Sequence, residues 1–319
     1  SRDFQKGASV LLSYELNAPW IKAVKMDQII AREGTKQWTT KEYKLKFERV
    51  ISSISGDTLF LDNPVVMAID PQFGKVSVVP FKFAGRIQEV GVENLRFESE
   101  FANETNENHG WIAVELDKVE NAWVRNITAR YFGYAAVSLG AFAKQTSVIN
   151  SKCLDPKSQI TGGRRYSFNN NGQLNLFRQL YTTEGRHDYV TGARTLGPNV
   201  FSLSTATNTH ADIGPHHPWA VGTLYDQIIT DGEINVQDRG NWGSGHGWAG
   251  VTQVLWNCKV KRAAVQQPWA SGQNFAIGVN GENNHGRFKD RTAGFWENQN
   301  RKMPIESLYE QQLNDRLNK

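Results

Sequence analysis

The side chains able to do acid–base or charge chemistry gather in the second half of a 319-residue chain: Arg186, His187, Asp188 and Tyr189, then His210, Asp212, His216 and His217, then Asp238 and Arg239. They recur at nearly matching points of a repeat of about 25 residues, so stacked units would place them on one wall. β-Elimination from a uronic acid needs a cation for the carboxylate, a base for the neighbouring proton and an acid for the leaving oxygen. Arg186 or Arg239 supplies a planar, permanent cation. His187 or His210, with an ordinary pKa of about 6.5, supplies the base, and Tyr189 or Tyr225 the acid. Hydrolysis instead needs two carboxyl groups, about 5–5.5 Å apart for retention or ~6.5–9.5 Å for inversion. Asp188, Asp212 and Asp238 on successive units, each step about 4.8 Å, are its candidates. The surplus of imidazole and guanidinium over carboxylate favours elimination on an acidic glycan.

The positioning elements follow from the repeat. Short strands open at Glu120, Lys144, Gly172, Gly197, Gly222 and Gly250, at intervals of 24 to 28 residues. Each alternates rather than following helical spacing, as in Leu174, Leu176 and Leu180, Val200 and Leu203, Leu224 and Ile228, or Val254, Trp256 and Cys258, with Trp256 assigned to the core. A unit that cannot bury its apolar face alone must stack on its neighbours, which predicts an all-β solenoid. Residues 1–85 read as a β-rich lead-in with irregular early coils, 86–285 as the solenoid body carrying the site, and 286–319 as a tail. Ile305, Leu308, Tyr309, Gln312, Leu313 and Leu317 predict a short amphipathic helix with Pro304 in its first turn, placed to cover the open edge of the last coil. Cys153 and Cys258 lie four coils apart, roughly 19 Å, against a disulfide limit of ~7 Å, so both are expected as buried free thiols.

Around the strip, Trp219, Trp242, His246 and Trp248 offer a sugar-binding wall, and Arg164 and Arg165 extend its positive charge. His216 and His217 sit in GPHHPW, where Pro215 and Pro218 also make a rigid turn. The gaps between His210, His216 and His217 match no HExxH or paired CxxC pattern, so no metal or other cofactor is expected. Calcium lacks the acidic cluster it would need. The glycines from Gly240 to Gly250 lack the order of a phosphate loop and read as a turn-rich excursion. With 36 basic and 32 acidic side chains and no basic block, nucleic acid is excluded as a partner. No run approaches 18 apolar residues, so no membrane span is expected. The start at Ser1 without a leader reads as a mature or trimmed chain. The sequons at Asn103 and Asn126 read as chance occurrences.

The segments NAWVRNIT, TSVINSKC and NVFSLSTATN, joined by polar turns, resemble coils of the right-handed parallel β-helix of the pectin-lyase-like superfamily. GRHDY, GPHHPWAVGTLYD and NVQDRGNWGSGHGWAG look like a bacterial branch of it. The resemblance covers roughly residues 86–285. It implies a secreted, periplasmic or cell-surface protein acting on or binding a polysaccharide or oligosaccharide, as a lyase, a glycoside hydrolase or a non-catalytic adhesin-like β-helix. A fold hosts many reactions, so the reaction rests on the site.

Overall fold

In the computed structural model, which describes residues 4–318, the repeat winds into a right-handed parallel β-helix with three walls. The first wall stacks Gly91–Glu93, Trp123–Arg125, Ser147–Ile149, Leu176–Arg178, Leu196–Ser202, Ala220–Asp226, Val254–Trp256, Phe275–Ile277 and Phe295–Glu297. The second stacks Arg96–Glu98, Thr128–Arg130, Lys152–Leu154, Tyr181–Thr183, Thr205–Thr207 and Ile229–Thr230. The third stacks Ile112–Leu116, Ala135–Leu139, Phe168–Asn170, Tyr189–Thr191, Asp212–Pro215 and Glu233–Val236, and Lys259–Val265 pairs with both the second and the third. Parallel ladders leave each wall in register from coil to coil, for example Trp123↔Ser147↔Leu176↔Val200↔Leu224↔Val254.

Each corner between the first and second walls is turned by one residue in the left-handed region. Asn94, Asn126, Asn150, Gln179, Leu203, Gln227, Asn257 and Asn298 all have φ between 47° and 58°. Asparagine tolerates this region because its short amide bonds locally, and here Asn150 donates to Asn126 and Asn126 to Asn94 along the corner. The lumen is filled by Phe177, Phe201, Tyr225 and Leu255 on the first wall, with Leu180, Cys153, Ile228 and Cys258 around the corner. Phe201 stacks on Phe177 at 4.7 Å and on Tyr225 at 5.6 Å.

The strand faces on the first wall are the reverse of the sequence reading. Leu176, Val200, Leu224, Val254 and Trp256 point outward, and their neighbours point in. Side chains alternate with period two, so a phase error of one residue exchanges the faces. Both cysteines are free and buried, as expected.

Two attachments flank the helix. Ser9–Leu16, Lys44–Ser55, Thr58–Leu61 and Gly74–Pro80 pair with one another in an antiparallel sheet instead of entering the parallel walls. Val10, Leu12, Tyr14 and Leu16 alternate inward along its central strand and pack, with Trp20 and Trp38, on Leu196, Trp219, Val221 and Trp248 of the β-helix. Gly222 permits this docking: at φ +69° it has no side chain, and a Cβ there would stand 2.2 Å from Val66 Cγ2. The C-terminal helix spans Leu308–Leu317, capped by Ser307, with Pro304 outside it. Rather than covering the last coil, it runs back along the first wall. Asp226 accepts from the Ser307 hydroxyl and the Leu308 and Tyr309 amides, and Glu310 pairs with Arg178. An acceptor at the positive end of the helix fixes that placement. No helix among the described residues is long and apolar enough to cross a membrane.

Candidate active site

A cleft of about 600 Å³ opens on the outer side of the third wall, lined by Tyr134, Tyr166, Arg186, His187, Asp212, His216, His217, Arg239, Trp242 and His246 together with Gly162, Gly163, Ala211 and Gly243. Successive coils deliver these groups. His187 precedes Tyr189–Thr191 by two residues and Tyr166 precedes Phe168–Asn170 by two, and Phe168 pairs with Tyr189, so Tyr166 and His187 share one column. Asp212 opens the next strand, and its neighbour Ile213 fills the lumen. Arg239 follows Glu233–Val236, and His246 comes from the excursion between Asp238 and Trp248, which bridge to each other.

The excursion is braced by the N-terminal segment. Arg32 donates to the Gly243 carbonyl at 2.8 Å, Asn241 donates to Ile30 O at 3.0 Å, and the Lys36 amide reaches Ser244 O at 2.9 Å. Trp248 Nε1 donates to Val24 O at 2.9 Å from the base of the loop.

Asp212 is the electrostatic pivot. Arg239 donates Nη1 to Asp212 Oδ2 at 2.7 Å and Nη2 to Oδ1 at 3.3 Å, and Nη2 also donates to His216 Nδ1 at 3.0 Å. Burial alone would raise the Asp212 carboxyl, but the charge of Arg239 and the neighbouring imidazoles hold it well below the usual carboxylate range. The imidazoles move the other way. Burial pushes His187, His217 and His246 down to about 4, and His216 to about 2, so all four are neutral near pH 7. Burial raises the Tyr166 hydroxyl, with the charge of Arg186 opposing it. Arg186 donates to the Gly162 carbonyl and has no carboxylate partner among the described residues.

Arg186, His187, Asp212, His216, His217, Arg239, Trp242 and His246 of the sequence strip meet in this cleft. The others lie elsewhere. His210 lines an adjoining cleft of about 370 Å³, bonded to Glu184 at 2.7 Å, and the two clefts share Ala211, Asp212 and Trp242. Asp188 is wholly buried beside Ser167, its carboxyl pushed up to about 6 by burial, and Tyr189 and Tyr225 fill the lumen. The alternation that placed His187 and Tyr189 on one face fails because residues 186–188 form a corner, not a strand. Asp238 is buried against Arg291 at 2.7 Å, so the three aspartates form no catalytic pair. Trp219 and Trp248 pack under the N-terminal sheet. Arg164 is tied to Glu107, and Arg165 is buried on the Ser158 carbonyl.

Tyr134 and Tyr166 also line the cleft and are not among the site residues that the sequence singles out, since neither lies in the His-rich stretches. Their signal is the column: Tyr166 holds the repeat position of His187.

No protein-family model matches the chain, and no curated protein matches it. Among solved structures it is similar to the tailspike protein gp49 from Pseudomonas phage LKA1, with a TM-score of 0.34 and 11% identity, over 95% of this chain and 60% of that one.

Proposed function

We propose that the protein is a polysaccharide lyase that cleaves an acidic, uronate-containing glycan by β-elimination in this cleft. The observation that carries the reading is Arg186. Of the two arginines lining the cleft, Arg239 is committed to Asp212, while Arg186 has no carboxylate partner among the described residues and stands beside Tyr166. A substrate carboxylate would complete Arg186 with a charge-assisted, bidentate pair. An imidazole of the half-buried His217 or His246 would take the α-proton, and the Tyr166 hydroxyl would protonate the leaving oxygen. Trp242, 37% exposed at the junction of the two clefts, offers a face for a sugar ring. Placement in the pectin-lyase-like superfamily and a secreted, periplasmic or cell-surface location belong to the same proposal.

The test is incubation with a panel of uronate glycans, following both the ultraviolet absorbance of unsaturated products and the release of reducing ends. Elimination gives both signals. Tyr166→Phe is expected to lower turnover by about 10²–10⁴-fold, the usual worth of a positioned acid, and Arg186→Ala to abolish saturation by the substrate. Reducing ends without absorbance would replace elimination with hydrolysis. Glycan binding without either product would leave a binding β-helix.

A further inference from the structure

The second cleft, of about 370 Å³, adjoins the first along the wall and carries a different balance of charge. The first is lined by Arg186 and Arg239 against one carboxylate, Asp212. The second shares Asp212 and adds Asp231 and Glu233, against Lys261 and Arg262. Arg262 donates to Glu233 at 2.8 Å and is committed there. Lys261 has no carboxylate partner among the described residues, but its amide bonds the Gly232 carbonyl, which sets it one coil from Asp231. Asp231 accepts only from the uncharged groups of Asn208 and Thr209. It therefore offsets Lys261, and no cation is left over for a ligand carboxylate.

The second cleft also holds an amide without a partner. Asn235 lies in the strand Glu233–Val236, where Ile234 and Val236 fill the lumen, so Asn235 points outward. It lines the cleft, it is 3% exposed, and its Oδ1 has no hydrogen-bond partner. Along the wall its neighbours are Gly214 and Ala264, which carry no side chain able to bond it. Buried acceptors are nearly always satisfied, so the missing donor has to come from the cleft. A carboxamide both accepts and donates, which suits the hydroxyls of a sugar. Trp242, 37% exposed and shared by the two clefts, carries an apolar face from one to the other. We infer that the second cleft is a subsite for an uncharged sugar next to the acidic one held at Arg186, so that the glycan alternates uronate with uncharged sugars rather than being a polymer of uronate alone. The inference rests on the carboxylate subsite at Arg186 proposed above. Acids facing a subsite turn away a second carboxylate by repulsion, and specificity comes from such rejection as well as from attraction.

The test is calorimetry at low salt on the slow variant Tyr166→Phe, with cleavage of the same probes by the wild-type chain followed by absorbance. The probes are hexasaccharides of galacturonate alone or mannuronate alone, and hexasaccharides that alternate galacturonate with rhamnose or glucuronate with N-acetylglucosamine. An alternating hexamer should bind about 10-fold or more tighter than either uronate-only one. Asn235→Ala should cost that hexamer about 3–10-fold, the worth of a hydrogen bond, while leaving the urea midpoint where it was, since its amide oxygen gives up no bond in the free protein. Asp231→Asn should tighten the uronate-only hexamers by about 2–5-fold. A uronate-only hexamer bound as tightly as every alternating one, or unchanged affinity in Asn235→Ala, overturns this inference alone, and unsaturated product from both classes would then leave elimination standing. Preference for an alternating hexamer with no product from any probe supports the inference and defeats elimination alone. Failure of every probe to bind overturns the Arg186 subsite and this inference together.

Discussion

Replacing Arg239 by Met should expose how the cleft is held together. Arg239 and Asp212 are 3% and 13% exposed and joined by two hydrogen bonds, with a third from Arg239 to His216. Removing the guanidinium leaves a carboxylate out of water with no counter-charge, and breaking such buried pairs costs about 3–5 kcal/mol. The partial exposure of Asp212 admits some water, which sets the expectation at about 3 kcal/mol, the lower end of that range. Removing both charges is different. In Asp212→Asn/Arg239→Met no ion is stranded, and the expected loss is about 1 kcal/mol, the worth of ordinary hydrogen bonds. Asp212→Asn alone strands the buried guanidinium and should also cost about 3 kcal/mol. Urea unfolding followed by tryptophan fluorescence would give the three midpoints, and the double-mutant cycle a coupling of about 5 kcal/mol. Should the double variant lose as much as the two single variants together, the ion pair is not what stabilises this wall, and the reasoning fails.

Phe201→Ala should cost about 3–5 kcal/mol, because it opens a hole between Phe177 and Tyr225 deep in the lumen; a loss under about 1 kcal/mol by the same unfolding assay would mean that the lumen collapses around it. Glu48 carries an acid sensitivity. Burial would raise its carboxyl, but hydrogen bonds and charge from Arg86 and Lys144 hold it below 4.5. Its folded pKa is depressed, so its contribution is present above pH 4.5 and lost as pH falls through the folded value. Glu48→Gln should therefore flatten the stability curve below pH 4.5, and an unchanged curve would show the network to be inert. Asp226→Ala removes the three acceptor contacts at the start of the C-terminal helix and should cost about 1–2 kcal/mol as a lost cap. Hydrogen exchange should rise in residues 308–317 first; a uniform rise along the chain would contradict a local attachment.

Repetition made the solenoid readable. A ladder such as Ser147↔Leu176↔Val200 forces turn residues and apolar residues to recur at fixed distances, and that recurrence survives in one dimension. The same regularity brought Arg186, His187, Asp212 and Arg239 onto one wall. What failed was phase and corner geometry. A one-residue slip exchanged Leu176 with Phe177, and the bend at residues 186–188 sent Asp188 to the interior while Arg186 and His187 stayed outside. The N-terminal sheet was hidden for another reason. The alternation of SVLLSYEL marks a one-sided strand, but nothing local says whether its partners are parallel coils or antiparallel neighbours. Trp219 and Trp248, which the sequence assigns to a sugar-binding wall, are instead buried by residues more than 170 positions earlier in the chain, which no local pattern marks.

The clasp between Arg32, Ile30, Lys36 and the loop of residues 240–247 gives the amino-terminal module a say in the shape of a cleft to which it contributes no lining side chain. Trimming that module to obtain a minimal solenoid would free His246 to drift and would strip the cover from Leu196, Trp219, Val221 and Trp248 of the coils beneath it. Grafting a different amino-terminal sheet onto the same rod would retune the opening without altering any residue inside it.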